Sequence, residues 1–151
     1  MLLLKEATFN GAITENPFFF GKFNLKTTKL IIAGEQYPYE TLKLDHDAAN
    51  KDLRGYHRFL SATGCLTRGH GNLVRANDWG HGKQANMFVF DMTGNNSVDS
   101  PVLNPKQSGD VRPVLDFGAN PVSNLTILVY GEFENMLQIN GAGTVAYDVH
   151  Q

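Results

Sequence analysis

One stretch near the C-terminus, Leu125 to Ile139, constrains the fold of this chain more than any other. Its sequence is LTILVYGEFENMLQI, and apolar residues recur at alternate positions through much of it. Successive side chains of a β-strand point to opposite faces, so this alternation predicts one long, half-buried strand. The face expected to point into a core carries Ile127, Val129, Phe133, Leu137 and Ile139.

The opposite face of this predicted strand is mixed in character. It carries Leu128, Tyr130, Glu132, Glu134, Met136 and Gln138. A strand face with two carboxylates and several large amphipathic side chains is typical of a surface that meets water or a neighbouring protein. The predicted contact face therefore consists of Tyr130, Glu132, Glu134 and Met136.

Length and composition favour one globular domain spanning residues 1–151. The chain has 151 residues, of which 42% are hydrophobic and 19% charged, as in an ordinary folded domain. A formal net charge of -2 supplies no basic surface, so nucleic acid is not an expected partner. The single cysteine, Cys65, predicts a reducing compartment without internal disulfides. We also expect neither a cleaved signal peptide nor a membrane-spanning segment.

Several other segments have the pattern of strands. They are Leu2 to Phe9, Leu25 to Ala33, Met87 to Phe90, Val111 to Phe117 and Thr144 to Val149. Asn10-Gly11 and Asn140 to Gly143 are expected to form turns, and Gly34 to Pro38 to end the second strand. Proline cannot donate a ladder hydrogen bond, so Pro113 places its strand at an edge or a bulge.

A helical period replaces the strand pattern between Asp45 and Gly64. Asp45 or Asp47 is the expected N-cap, and Gly64 suits the position just after the helix. The predicted apolar stripe consists of Leu53, Tyr56, Phe59 and Leu60, and the predicted solvated face of Lys51, Asp52, Arg54 and Arg58.

The remaining segments have the composition of loops. Asn16 to Phe23 contains Phe18, Phe19, Phe20 and Phe23, which we expect to be core aromatics beneath a loop. Thr67 to Gly82 and Gly94 to Asp110 are rich in Gly, Asn and Ser, and loops of this length are often functional. Three residues of the first long loop are candidate exposed contacts: Asp78, Trp79 and His81.

No residue pattern predicts catalysis, a cofactor or a metal. His70 and His81 share a loop, but neither has another histidine or a cysteine near it at the spacing of metal ligands. Glu132 and Glu134 would lie on one strand face, where acid and base catalysis is conceivable only if that face lined a cleft. Carboxylates so placed more often form cross-strand or intersubunit pairs, with Lys22, Arg75 or Arg112 as available partners. The residues alone therefore favour a non-catalytic, all-β sandwich with one inserted helix.

Six short motifs, taken together and in order, resemble one protein family. They are FNG at Phe9 to Gly11, the NPF segment at Asn16 to Phe18 with Phe20 and Phe23-Asn24, GEQ at Gly34 to Gln36 with Pro38, YHRFLSATG at Tyr56 to Gly64, FVFDMT at Phe88 to Thr93, and VYGEFENMLQI at Val129 to Ile139. The chain is similar over nearly its whole length to the C-terminal jelly roll of double jelly-roll major capsid proteins from polintons (Mavericks) and adintovirus-like elements.

This resemblance implies a structural protein of a virion. Its fold would be a single jelly-roll β-sandwich of about eight antiparallel strands, and its partners would be copies of itself, as a trimer or another homo-oligomer, with an N-terminal jelly roll or a minor capsid protein. The N-terminal jelly roll of the family is missing, so the chain is expected to be either a domain of a longer protein or a free-standing jelly roll. Before assembly, the protein would occupy the host cytoplasm or nucleus.

Two other functions stay open at this stage. One is a jelly-roll module that binds a glycan or a receptor through Asp78, Trp79 and His81 or through the loop from Gly94 to Asp110. The other is an enzyme that uses Glu132 and Glu134 in a concave site.

Overall fold

Antiparallel strands make up most of the regular structure. The computed structural model describes residues 1–44, 52–66, 71–80, 83–93, 108–133 and 137–147. The strands in these ranges are β1 (Leu2–Lys5), β2 (Leu25–Ile32), β3 (Glu35–Lys43), β4 (Val111–Phe117), β5 (Leu125–Leu128), β6 (Leu137–Ile139) and β7 (Val145–Tyr147). The helices there are α1 (Glu6–Phe9), α2 (Leu53–Ala62) and a short 3-10 helix (Ala76–Asp78). The predicted predominance of antiparallel strands with few helices is confirmed.

The described strands form three antiparallel groups. A three-stranded sheet has the order β3-β2-β4, β1 pairs with β5, and β6 pairs with β7 as a hairpin. Pro113 of β4 lies opposite Leu30 of β2, and β4 is an edge strand, as its proline predicts. The predictions for β2 and β4 are confirmed to within one residue.

Strand β3 is a correction to the sequence analysis. Ala33 and Gly34 have φ of 50° and 89° and form a tight turn, after which β3 pairs back on β2. We predicted that Gly34 to Pro38 would end the second strand; β2 does end just before this segment, but Glu35 to Pro38 already belong to β3, which was not predicted. The Tyr37–Pro38 peptide bond is cis. The register passes from Thr28 opposite Leu42 to Leu30 opposite Tyr37, so the residues between Tyr37 and Leu42 bulge out of the ladder.

The side chain of Gln36 occupies this bulge. Its Nε2 donates to the backbone carbonyl oxygens of Tyr39 at 2.9 Å and Pro38 at 3.2 Å. These carbonyls are therefore occupied within the chain and are less available to an added strand. With Pro113 on β4, both edges of the three-stranded sheet carry a feature that opposes further pairing.

Strand β1 is shorter than predicted. The segment from Leu2 to Phe9 divides into β1 and α1, and only the first half is a strand. Gly11 follows with φ of 81°, which confirms the turn at Asn10-Gly11. Beyond its pairing with β5, β1 meets the segment around Met87 through an isolated bridge from Leu2. The predicted strand Met87 to Phe90 is thus reduced to that bridge, although Phe88 is buried as expected.

The backbone of Met1 adds to this junction. Phe88 N donates to the Met1 carbonyl oxygen at 2.9 Å, and the Met1 ammonium donates to the Phe88 carbonyl oxygen at 2.8 Å. Burial lowers the pKa of that ammonium group because the charged form loses hydration.

The stretch Leu125 to Ile139 is not one strand, and this is the largest correction. Strand β5 ends at Leu128 and β6 begins at Leu137. A strand needs a partner for its ladder, and β1 offers four paired residues, the last of them Leu2 opposite Leu128. The alternating pattern therefore continues past the point where β1 can pair with it.

The C-terminal hairpin forms where the sequence predicts a turn. Asn140 Oδ1 accepts from Ala142 N at 3.1 Å and Thr144 N at 2.9 Å, and Gly143 has φ of 79°. Strand β7 lies inside the predicted Thr144 to Val149. The two strands pair over three residues each.

The core lies between β1, β2, the end of β3, α2 and the segments around Trp79 and Phe88. Its fully buried apolar residues are Leu3, Leu25, Leu44, Phe59, Trp79 and Phe88. Phe23 packs against this cluster, as predicted for that loop, but Phe18 is 74% exposed. Helix α2 confirms the predicted helix, and Gly64 follows it with φ of 72°.

The N-cap of α2 is Asp52 rather than Asp45 or Asp47. Asp52 Oδ1 accepts from Gly55 N at 3.1 Å, and residues 45–51, Lys51 among them, lie outside the described ranges. We predicted that Asp52 would lie on the solvated face of the helix, and this was wrong. The Asp52 carboxylate is buried because a lysine side chain in the interior pairs with its charge.

That partner is Lys22. Lys22 Nζ lies 2.8 Å from Asp52 Oδ2 and donates to the Leu44 carbonyl oxygen at 2.9 Å, with both side chains almost completely buried. One ammonium group therefore joins the loop before β2, the end of β3 and the start of α2. Removing one member of such a pair leaves an uncompensated buried charge, which is strongly destabilising.

We predict that Asp52→Ala lowers the free energy of unfolding by about 3–5 kcal/mol, because Lys22 is left buried without its counter-ion and α2 loses its N-cap. The matched control is Glu15→Ala, which breaks a 2.9 Å pair with Lys5 whose side chains are 38% and 33% exposed. An exposed pair contributes less than about 1 kcal/mol. Urea titrations of both variants measure the difference, and equal losses would contradict the assignment of Lys22 as a buried, organising charge.

Candidate interaction surface

A run of large apolar side chains is exposed along the C-terminal part of the chain. We call it the C-terminal apolar surface, and its exposed fractions range from 41% for Ile127 to 85% for Tyr130. It comprises Ile127, Val129, Tyr130, Phe133, Leu137, Ile139 and Val145. Five of these residues were predicted to point into the core, so that prediction was wrong: Ile127, Val129, Phe133, Leu137 and Ile139.

The exposure follows from the lack of covering elements. Strand β5 pairs with β1 alone among the described strands, and the hairpin of β6 and β7 makes no more than a marginal contact with any other described helix or strand. All side chains described between Leu137 and Val145 are exposed. Apolar alternation indicates a surface that will be buried, but the burying partner need not belong to the same chain.

The predicted contact face is partly described. Tyr130 belongs to the C-terminal apolar surface and Glu132 adjoins it in sequence, and both are exposed, whereas Glu134 and Met136 lie outside the described ranges. Their role in contacts stays a prediction. Glu132 is also outside any strand, so the strand geometry that would align it with Glu134 is not present at its position.

Trp79 is not an exposed contact. Its side chain is 1% exposed, and its ring meets that of Phe88 edge-on at a centroid distance of 5.6 Å. Asp78 beside it is exposed, and His81 lies outside the described ranges. The three residues thus do not share a described surface, and the prediction of Trp79 as an exposed contact was wrong.

Two features of the sequence position Trp79 in the core. A Cβ atom added at Gly55 would overlap the indole ring of Trp79, so the absence of a side chain at this position of α2 makes room for the ring. Asn86 fixes the backbone next to it, because its Oδ1 accepts from Gly80 N at 2.8 Å and its Nδ2 donates to the Phe20 and Lys83 carbonyls. A glycine inside a predicted helix was the available signal for a large neighbour.

One open cleft adjoins α2. Its volume is about 440 Å³, and Tyr56, Leu60, Cys65, Asn72 and Val74 contribute to its wall. Tyr56 Oη donates to the Val74 carbonyl oxygen at 2.8 Å, which holds one side of the cleft together. Within the described ranges, no three His, Cys, Asp or Glu side chains come together as metal ligands would.

Comparisons with known proteins provide no relative. No family model, no curated protein and no solved structure matches this chain. Among the helices described, none combines the length and the apolar character needed to cross a membrane.

We predict that Trp79, the single tryptophan, emits at shorter wavelength in the folded protein than in urea and resists quenching by iodide, because its indole is buried. Gly55→Leu serves as the matched perturbation, since the new side chain would overlap the indole ring and shift the emission toward that of the unfolded chain. Emission that iodide quenches as fully in the native protein as in urea would contradict this placement of Trp79.

Proposed function

We propose that this chain is a capsid-type jelly roll, equivalent to the second jelly roll of a double jelly-roll major capsid protein, and that it functions by self-association. The observation that carries the proposal is the C-terminal apolar surface. The seven side chains belong to one part of the chain and are exposed among the described residues, and large exposed apolar areas usually mark sites of protein contact. A structural protein that assembles has a direct use for such a surface.

The fold class supports the same proposal. A jelly roll is built from antiparallel strands, and all four strand pairs in the described part of this chain are antiparallel. The six ordered motifs that resemble the polinton and adintovirus-like capsid proteins supply the more specific element. The core residues Leu25 and Phe88 fall in or beside these motifs, so the shared residues include buried ones.

The polar groups within and next to the C-terminal apolar surface fit an assembly role. Tyr130 and Glu132 lie beside Val129 and Phe133, so polar and apolar groups alternate where a neighbouring subunit would meet them. Interfaces commonly have an apolar centre with aromatic residues and a polar rim. In the proposed role the protein resides in the virion, after synthesis in the host cell, and requires no cofactor.

The described structure gives less support to the alternative of a glycan- or receptor-binding module. Its proposed anchor, Trp79, is buried, and an aromatic platform for a ligand has to be accessible. The enzymatic alternative also lacks support at Glu132, which is exposed rather than enclosed in a cleft.

The proposal predicts that the purified protein has a mass of several copies in solution and forms regular capsomer-like particles in electron micrographs. Association should weaken with Ile127→Lys, because a charge would be buried in the apolar contact. The matched control is Ile13→Lys, at an apolar residue that is fully exposed and remote from this surface in sequence. Light scattering over a range of concentrations makes the measurement. A protein that stays monomeric at high concentration, even with an N-terminal jelly roll added, would contradict the proposal.

A further inference from the structure

The strand edges of this protein differ in how they are protected. On the three-stranded sheet, β4 carries Pro113, and the bulge of β3 is filled by the side chain of Gln36. Natural proteins use prolines, bulges, charges and covering elements to prevent unwanted strand addition at sheet edges. The edges of this sheet therefore oppose pairing with another chain.

In the part of the chain that the structure describes, strand β5 has none of these protective features. Its sequence, Leu125-Thr126-Ile127-Leu128, contains no proline and no charge, and its ladder with β1 is regular over all four residues. The edge of β5 away from β1 has no partner among the described strands. An uncharged, unbulged edge flanked by the exposed Val129 is a ready template for an added strand.

The hairpin of β6 and β7 is the matching element. From Leu137 to Val145 it contains no charge, and it presents Leu137, Ile139 and Val145 to solvent. A two-stranded hairpin by itself is at best marginally stable in water, so it needs a further strand or a packing surface. The described structure provides neither within the same chain.

We propose that the hairpin of one copy adds to the open edge of β5 in the next copy. This inference rests on the proposed self-association and specifies its contact. In one such contact the hairpin side chains of one copy meet the β5 side chains of the next, and together the seven side chains expose on the order of 700 Å², about half of the roughly 1,600 Å² that both partners together bury in a standard interface. Burial of these side chains alone therefore corresponds to a weak contact, and the main-chain hydrogen bonds of the added strand would strengthen it.

The connection between the two elements permits the exchange. Eight residues separate Leu128 from Leu137, and an extended segment of this length spans up to about 26 Å. The contact joins two different surfaces, hairpin and edge, so it is heterologous. Such contacts close into rings when the rotation between copies allows it, and a trimer is one such ring.

Two complementary variants test the proposal. The hairpin variant, Leu137→Lys with Ile139→Lys, retains an intact β5 edge. The edge variant, Ile127→Lys with Val129→Lys, retains an intact hairpin. We expect each alone to lose association and to run as a single copy, whereas an equimolar mixture forms a one-to-one complex of twice that mass, through the one remaining hairpin-to-edge contact.

Light scattering of each variant, of the mixture and of the unchanged protein provides the masses. The matched control, Ile13→Lys with Val122→Lys, changes two fully exposed apolar residues and should associate like the unchanged protein. Unaltered Trp79 emission shows that every variant is folded.

Each contrary result has a distinct meaning. Association of the hairpin variant by itself, or failure of the two folded variants to combine, overturns hairpin exchange while leaving self-association intact. A monomeric unchanged protein overturns both, since it shows that the hairpin closes on its own chain or stays free.

Discussion

The buried ion pair of Lys22 and Asp52 is the interaction on which the rest of the described structure depends. Lys22 holds the Leu44 carbonyl and the Asp52 carboxylate together, and Asp52 in turn caps the helix at Gly55 N. The indole of Trp79 lies against Gly55 and packs on Phe88. The ion pair therefore holds the start of α2 in the position where the helix contacts these core aromatics. The cost of burying two charges is offset only if their geometry and hydrogen bonds are good, and both partners here have a second hydrogen bond.

The contrast between this interior and the C-terminal region explains the proposed function in physical terms. Around Lys22 the buried polar atoms of the pair are satisfied within the chain, and the surrounding apolar side chains are enclosed. From Ile127 onward the same kind of apolar pattern is exposed, and β1 offers no further residues to pair with. A chain that completes one region internally and leaves another apolar and unpaired is suited to gain its remaining burial by association.

The sequence predicted what depends on local pattern and missed what depends on partners. Strands β2 and β4, helix α2 and the turns at Gly11 and Gly143 follow from residue periodicity and from turn chemistry. The burial of Asp52 could not be predicted, because it requires a lysine thirty positions earlier at hydrogen-bonding distance. Alternation in Leu125 to Ile139 predicted a core-facing strand, and this was wrong, because periodicity does not show whether another part of the chain covers the apolar face. Trp79 was wrongly predicted to be exposed because the composition of its segment indicated a loop. The space that Gly55 leaves for the indole was the signal that was missed.

Hydrogen–deuterium exchange at the hairpin amides measures most directly whether the C-terminal apolar surface is completed by another copy. The amides of β6 and β7 should exchange rapidly in dilute protein and become protected as concentration rises, while those of β2, in the centre of its sheet, stay protected throughout. Hairpin protection that is already complete in dilute protein and independent of concentration would contradict completion by a second copy. Hairpin amides that remain unprotected at every concentration would contradict it equally.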